Sequence, residues 1–498
     1  MDASNVQPHA SSHTSAPPSG PFLEGASPTF AGHVRQPAVA LAVFLSCFLL
    51  SAFVVDSPTV SAVLIGVVGC VVVYLTGPQR MAGLALFAAF ASLPAGIPVG
   101  KILGPTIVYV HEVLVLLAIA CLILIVRPRF STFALPLVFV LTISVATTIG
   151  LVSGRDLNRV VGEAKLLLVM TAGYVLAFLI VRAGLVMQAV RVMAIVLWFS
   201  ATMILLSSLT GIILAGRNES LTAATGTGAV RILTATQTPA LAILTALIAY
   251  SIIGRVQRLT WLKLGAPALA IIFFGFSRNS LLALAVAAIA ASLFSLNWRS
   301  VKRLLIMLFY GVVLAVVASV LLLGVQGASS SGWLIEQSTA FTNRVFGGVS
   351  GSALATDESA QYRLRETTYL IEAISEAPFL GHGFGYAYQP PIVAEPDSFE
   401  VIDGPFYAHN FYLWLFAKAG LLGMLGFLWL AVTPVIRAAQ TPTIEAKVSA
   451  VVASSLLVIC VVNPLPLGPS NSLALGLALG SALAAIRPRG VLSPTTSS

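Results

Sequence analysis

Long uninterrupted apolar runs constrain this chain more than any other feature of its sequence. Runs of about 18 or more apolar residues recur along its whole length, and each could cross the hydrocarbon core of a bilayer. Only 9% of the 498 residues are charged, whereas a soluble domain carries roughly a quarter. The sequence therefore predicts an all-α polytopic membrane protein.

The apolar runs predict about fourteen transmembrane helices. The expected spans are 37–55, 59–76, 82–98, 105–126, 133–152, 163–181, 192–215, 239–254, 261–276, 280–297, 304–324, 409–434, 446–462 and 471–486. The two spans that flank Ser277-Arg278-Asn279 could also be one long broken helix. Residues 1–36, rich in Ser, Pro, Ala and His, predict a disordered tail, and 487–498 form a second tail.

Lys and Arg are unevenly distributed between alternate connections. If the N-terminus is cytoplasmic, 16 of the 27 basic residues fall on the cytoplasmic side. Short cytoplasmic loops carry such an excess, so both termini are predicted to be cytoplasmic. The net charge of +9 is then explained by topology, and no basic run with interleaved aromatic residues suggests a nucleic-acid partner.

Cysteine and histidine spacing predicts neither disulfides nor a metal site. The four cysteines all lie inside apolar runs, where cysteine behaves as a small hydrophobe. His111-Glu112 is an isolated pair inside a span, and His382 has no nearby series of ligands. We expect no metal and no cofactor.

One long connection, residues 325–408, separates spans 1–11 (37–324) from spans 12–14 (409–486) and is predicted to be extracytoplasmic. Connections of this length are usually functional or disordered. Within it, 363–378 has helical spacing, with Leu364, Ile371 and Ile374 on one side, and FLGHGFGYAYQPP reads as a glycine-rich turn region.

Several arginines fall on the predicted outer side, where basic residues are disfavoured. They are Arg217, Arg231, Arg278, Arg363 and Arg365. The planar guanidinium suits phosphate and carboxylate, so together these arginines predict a site for a polyanionic head group such as a lipid pyrophosphate. The alternative is that each pairs with a loop carboxylate or a lipid phosphate.

His409 begins the twelfth predicted span, directly after the long connection. A helix N-terminus disfavours added positive charge, and a neutral histidine there could take a proton from a hydroxyl. Asn410 could orient the ring or the acceptor, or cap the helix. Gly420 and Gly423 would let another helix approach closely. The alternative is an interfacial histidine beside ordinary small-residue packing.

Four segments together resemble the O-antigen ligase and polymerase superfamily. His409-Asn410, nine residues, then Gly420-Leu-Leu-Gly423 resembles its H-[NSQ]-x9-G-x-x-G pattern. Arg365, followed by fifteen residues and then Gly381, is similar to the arginine–glycine pattern of the family's large periplasmic loop, and EAPFLGHGFG is similar to its glycine-rich stretch. An earlier outer-loop arginine segment of the family is similar to VRILTATQTPALAI (230–243), in which the usual glycine and asparagine are replaced. The family's Ser-Arg helix start resembles SRNSLLAL (277–284).

The resemblance, over roughly 215–435, implies a metal-independent, inverting glycosyltransferase of the bacterial inner (plasma) membrane. Its donor would be an undecaprenyl-pyrophosphate-linked glycan and its acceptor a glycan or glycolipid, with a chain-length regulator as a further partner to consider. Arg231, Arg278 and Arg365 would hold the pyrophosphate and stabilise the charge that develops on the leaving group, which makes Arg365 a predicted catalytic residue along with His409. Arg217 and Arg363 are second candidates. His409 would be the general base.

Three alternatives remain at this point. A surface-polysaccharide polymerase is preferred to a ligase that attaches glycan to lipid A-core, because a polymerase requires no lipopolysaccharide in the host. A transporter of lipid-linked oligosaccharides is disfavoured because no repeat relates the two halves and the basic residues lie at the span edges. A peptidoglycan polymerase would need an essential acidic residue in its outer loop, for which Asp403 is the candidate.

Overall fold

The computed structural model describes residues 77–97, 100–103, 106–221, 228–325, 332–346, 358–390 and 403–486. Two antiparallel hairpins pair β1 (Gly100–Leu103) with β2 (Thr106–Tyr109) and β3 (Arg217–Ser220) with β4 (Val230–Leu233). The helices are α1 Pro78–Phe90, α2 Val110–Val126, α3 Ala134–Val152, α4 Leu157–Arg182, α5 Val186–Thr210, α6 Gln237–Ile253, α7 Ala266–Gly275, α8 Arg278–Ser295, α9 Trp298–Val325, α10 Gly332–Phe341, α11 Glu358–Glu376, α12 Phe411–Gln440, α13 Ile444–Ile459 and α14 Pro469–Ala484.

The chain is a mostly helical, multi-pass membrane protein. Among the described residues, six helical segments are long and apolar enough to cross a membrane: Phe130–Val152, Leu157–Arg182, Val186–Thr210, Arg258–Gly275, Arg278–Ser295 and Phe411–Gln440. Every predicted span from 82–98 onward contains a helix over at least part of its length. The spans predicted at 37–55 and 59–76 lie outside the described residues, so the number fourteen stays a prediction.

The two hairpins correct the expectation of a purely helical fold. Residues 106–109, Thr-Ile-Val-Tyr, were expected to be the start of the 105–126 span because they are apolar, but they form β2. β-Branched and aromatic residues favour strands, and here they precede the first turn of α2.

At 276–280 the chain forms two helices, because Phe276 adopts a left-handed conformation (φ 42°) between α7 and α8.

Helices α4 and α14 pack with their backbones in contact. Gly476 and Gly480 of α14 lie against the backbone of Met170 and Tyr174 in α4, where an added Cβ would come within 1.9 to 2.0 Å of a carbonyl oxygen. Glycines four residues apart permit such an approach between membrane helices. This contact fixes α4, whose first turn contributes to the region around His409.

Helix α12 is broken at Gly420 (φ 62°, ψ −166°). The glycine loop, Pro378–Gly385, fills the break and exchanges backbone hydrogen bonds with the helix. The N–H groups of His382 and Gly383 donate to the carbonyls of residues 417 and 418 (3.0 and 2.9 Å), and the N–H groups of residues 421 and 422 donate to the carbonyls of residues 378 and 379 (2.9 and 3.2 Å).

The glycine pair of α12 therefore has a different use from the one expected. Gly420 admits a loop rather than a second helix, while Gly423 faces Ala419 of its own helix. The predicted turn character of residues 379–391 is confirmed over the part described, since Gly381, Gly383 and Gly385 all have positive φ.

The helix predicted at 363–378 is confirmed as part of α11, but its inward face differs from the expected one. Leu364 and Ile371 are 71% and 56% exposed, whereas Leu370 and Ala373 are buried against the rest of the protein. Glu366 lies four residues before Leu370 and is therefore carried inward as well.

Candidate active site

His409 is held by a buried carboxylate from α11. Its backbone N–H donates to Glu366 Oε1 (2.6 Å), and its ring Nδ1 is 2.9 Å from Glu366 Oε2. The Glu366 side chain is 2% exposed and that of His409 is 26% exposed. Glu366 is thus buried, whereas the imidazole is partly exposed to solvent.

This contact determines how the imidazole can act. An ionised carboxylate only accepts hydrogen bonds, so Nδ1 must carry the hydrogen that it donates to Glu366. The neutral ring then has its lone pair on Nε2, where it can accept a proton from a hydroxyl. The arrangement corresponds to a general base oriented by a third group.

Asn410 takes the capping role among those considered for it. Its Oδ1 accepts from the backbone N–H groups of Tyr412 and Leu413 at 3.1 and 3.2 Å, which caps the start of α12. Glu366, and not Asn410, contacts the His409 ring. A substrate-binding role for Asn410 stays a prediction.

Two tyrosines stand edge-on to the imidazole. The ring of Tyr407 lies 5.4 Å from the ring of His409, and that of Tyr362 lies 6.1 Å away, measured between centroids. Burial and the negative charge of Glu366 raise the pKa of Tyr407 to about 12, against the opposing charges of Arg363 and Arg217. Tyr407 therefore adjoins both the His409–Glu366 pair and two of the sequence-predicted arginines.

Four arginines lie together and are called here the arginine cluster: Arg217, Arg231, Arg278 and Arg344. Arg217 and Arg231 belong to the β3–β4 hairpin, Arg278 begins α8, and Arg344 lies in the helical turn Thr342–Phe346 that follows α10. Arg231 donates from Nη1 to Glu219 (3.0 Å) and from Nε to the carbonyl of Gly275 (3.0 Å). Arg217 pairs with the same Glu219, and Arg278 Nε donates to the backbone carbonyl of Arg344 (2.8 Å).

The charges of the arginine cluster act on one another. Burial lowers the pKa of Arg344, and the positive charges of Arg231, Arg278 and Arg217 lower it further. Burial acts to raise the pKa of Glu219, but the hydrogen bond and charge of Arg231, together with its other arginine neighbours, lower it overall. Several cations around one carboxylate favour an added polyanion.

The two arginines of α11 face different ways. Arg363 is half-buried, its charge acts on Tyr407, and its buried Nε has no hydrogen-bond partner among the described residues. Arg365 lies on the exposed face. The charges of Arg217 and Arg363 both act on Tyr407 beside His409, and the arginine cluster joins Arg231 and Arg278 to Arg217. The binding roles of these arginines and the catalytic role of Arg365 stay predictions.

Three residues at this site escaped the sequence reasoning: Glu366, Tyr407 and Arg344. Glu366 and Tyr407 contact His409, and Arg344 joins the arginine cluster. No signal in the sequence indicated Glu366, because the inward face of the helix was predicted from Leu364, Ile371 and Ile374, whereas Glu366 lies on the face of Leu370 and Ala373 that the structure buries. In the part of the chain that the structure describes, no three His, Cys, Asp or Glu side chains form a group that could hold a metal ion.

Comparison with known protein families gives a match that covers this site. Residues 266–428 match the family model described as O-Antigen ligase. The match includes Arg278, Arg344, α11, the glycine loop and His409, and it leaves out Arg217 and Arg231. No curated protein matches the chain significantly.

Proposed function

The match supports the O-antigen ligase and polymerase superfamily, and on this premise we propose a specific reaction for the chain. It transfers a glycan from an undecaprenyl-pyrophosphate donor to a sugar hydroxyl of an acceptor. The reaction takes place at the outer face of the bacterial inner (plasma) membrane, with both termini of the protein in the cytoplasm.

The observation that carries the proposal is the oriented His409–Glu366 pair beside the arginine cluster. His409 Nε2 removes the proton of the acceptor hydroxyl, whose oxygen then attacks the anomeric carbon of the donor. The bond from that carbon to the pyrophosphate oxygen breaks, and the carrier lipid leaves as its pyrophosphate. Attack opposite the leaving group inverts the anomeric configuration, and this chemistry requires no metal.

The arginines supply the electrostatic part of the reaction. Arg231 and Arg278 bind the pyrophosphate together with Arg217, Arg344 and Arg363. Cations that are already in place where negative charge develops stabilise the transition state without having to move. Their effect is larger when the site excludes water. For Arg365 the support is the family resemblance alone, since its side chain lies on the exposed face of α11.

Among the reactions of this superfamily, we favour the polymerisation of a surface polysaccharide such as O-antigen or exopolysaccharide. The acceptor would then be another lipid-linked glycan, and a chain-length regulator would be a fitting partner. Ligation of a finished glycan to lipid A-core is the alternative, and it uses the same donor chemistry.

The test is the profile of surface polysaccharide in a deletion strain, complemented with wild type or His409→Ala at matched membrane levels. Single repeat units without long chains indicate a polymerase, and full-length chains stranded on the carrier lipid indicate a ligase. If His409→Ala restored the wild-type profile, the catalytic role of His409 would be refuted, and a transporter would become the better interpretation.

A further inference from the structure

A second cleft lies beside the proposed catalytic site and is not used by the mechanism above. Its volume is about 710 Å³, within the range of about 300–1,000 Å³ that is usual for ligand sites. It is lined by the β1–β2 hairpin, the first turns of α4 and the segment that precedes α12. The residues that matter here are Tyr109, Asn158, Arg159, Gly162, Asp403 and Tyr407.

The charges in this cleft are paired. Arg159 Nη1 lies 2.5 Å from Asp403 Oδ1, and Lys165 Nζ lies 3.1 Å from Glu112 Oε1. Glu163, which also lines the cleft, forms an ion pair with the buried Lys418. The arginine cluster holds several cations around Glu219, whereas here each of these cations has its own carboxylate.

Paired charges and aromatic rings suit a ligand rich in hydroxyl groups better than a pyrophosphate. Carboxylate, guanidinium and amide groups can exchange hydrogen bonds with sugar hydroxyls, and Asp403 and Arg159 retain 46% and 31% side-chain exposure to do so. Tyr109, Phe406 and Tyr407 also line the cleft. Lys165 lies over the ring of Tyr109 and Arg159 over that of Phe406, at 4.8 and 4.7 Å from the centroids. The C–H face of a sugar can therefore pack against these rings only on the face that the cation leaves open.

Tyr407 connects the cleft to the catalytic site. It lines the cleft, while its ring stands edge-on to the imidazole of His409 at 5.4 Å. A sugar chain in the cleft would therefore end next to His409. The charges of Arg217 and Arg363 also act on Tyr407, so a donor held by these arginines would meet the acceptor there.

We propose that this cleft binds the acceptor glycan and presents its terminal hydroxyl to His409. The inference rests on the proposed function and deepens it, because it assigns donor and acceptor to separate regions. The donor is held through its pyrophosphate by the arginines, and the acceptor through its hydroxyl groups by the cleft around Arg159 and Asp403.

The test fills the cleft without disturbing the backbone. Gly162 lines the cleft, and a Cβ added to it would meet no atom within 4 Å, so Gly162→Leu places a side chain in the proposed acceptor space. Gly311→Leu is the matched control, because Gly311 is also helical and equally open but lies in α9, away from the cleft. Both variants are compared as full-length protein in nanodiscs.

The probe is the glycan released by mild acid from the carrier lipid of the deletion strain and labelled at its reducing end. Gly162→Leu should weaken its binding by about tenfold or more, roughly 1.4 kcal/mol. Binding of undecaprenyl pyrophosphate that carries no glycan should stay at the wild-type value, and Gly311→Leu should match wild type in both. Unchanged glycan binding in Gly162→Leu, or an equal loss of undecaprenyl-pyrophosphate binding, would overturn the proposal.

The result of this binding test is independent of whether the proposed catalytic function is correct. Glycan binding is measured without turnover, so it does not require that His409 be catalytic. Conversely, the His409→Ala complementation tests the chemistry and leaves the cleft intact.

Discussion

Replacing Glu366 by glutamine tests the central geometric claim about the active site. Glutamine has nearly the same shape, and its Oε1 can still accept from the backbone N–H of His409. Its NH₂ group, however, would face Nδ1, which is 2.9 Å from the Glu366 oxygen in the structure. Because an amide NH₂ only donates, the imidazole would have to carry its hydrogen on Nε2 and accept at Nδ1.

The size of the effect follows from that exchange of tautomers. With its hydrogen on Nε2, His409 cannot accept the proton of the acceptor hydroxyl. General-base catalysis usually contributes about 10²–10⁴-fold, so kcat of Glu366→Gln should fall by about that factor. The acceptor KM should change little, because Glu366 is 2% exposed and does not reach the substrate.

The assay measures glycan transfer by purified protein in nanodiscs, with the lipid-linked glycan extracted from the deletion strain as both donor and acceptor. Glu366→Asp is the control, because it keeps the acceptor-only carboxylate but withdraws it by one methylene. It should recover a measurable part of kcat, whereas a purely structural role would make the shortened side chain at least as damaging as glutamine. Glu366→Gln with kcat within a few-fold of wild type would refute the reasoning.

Three further predictions concern neighbouring features. Arg363→Lys should raise the donor KM more than Arg365→Lys, because only Arg363 is placed where its charge acts on Tyr407; a greater effect at Arg365 would instead support the family-derived assignment. Gly420→Ala should lower the melting temperature in detergent, because φ is 62° and an added Cβ would lie 2.4 Å from the glycine loop. The positive φ alone should lower the free energy of unfolding by about 1–2 kcal/mol. An unchanged melting temperature would mean that the break in α12 is not needed. Lys418→Met should destabilise the protein by up to about 3 kcal/mol in unfolding measurements, because Glu163, whose side chain is 12% exposed, loses its cation and is left with the N–H of Gly385 as its hydrogen-bond donor. Adding Glu163→Gln should restore much of the loss, whereas no rescue would show that Lys418 acts through its packing.

The helices were largely predictable because hydrophobicity specifies them locally. Apolar runs placed a helix at every described span, and the Ser277-Arg278-Asn279 interruption marked a true break. The β1–β2 hairpin was not predictable in this way, because the strand Thr106–Tyr109 runs directly into the apolar helix α2 with no breaking residue between them. The orientation of α11 was also missed, since Leu364 and Ile371 are exposed and membrane proteins can leave apolar residues at the surface.

The candidate site was predictable as a set of residue types but not as a set of contacts. Arginines on a disfavoured side and a histidine at a helix start could be identified by position alone. Their arrangement could not, because Glu366 and His409 are 43 residues apart and no local pattern joins them. The inward position of Arg363 and the outward position of Arg365 follow from the rotation of α11, which depends on tertiary packing.

The broken helix α12 has a consequence for how the protein is made. In lipid, backbone groups without partners cost several kcal/mol each, and the groups of residues 417, 418, 421 and 422 around Gly420 find theirs in the glycine loop. The loop also packs against Gly150 of α3. During biosynthesis the loop and the two halves of α12 should therefore reach their final positions together, because each satisfies backbone groups of the other.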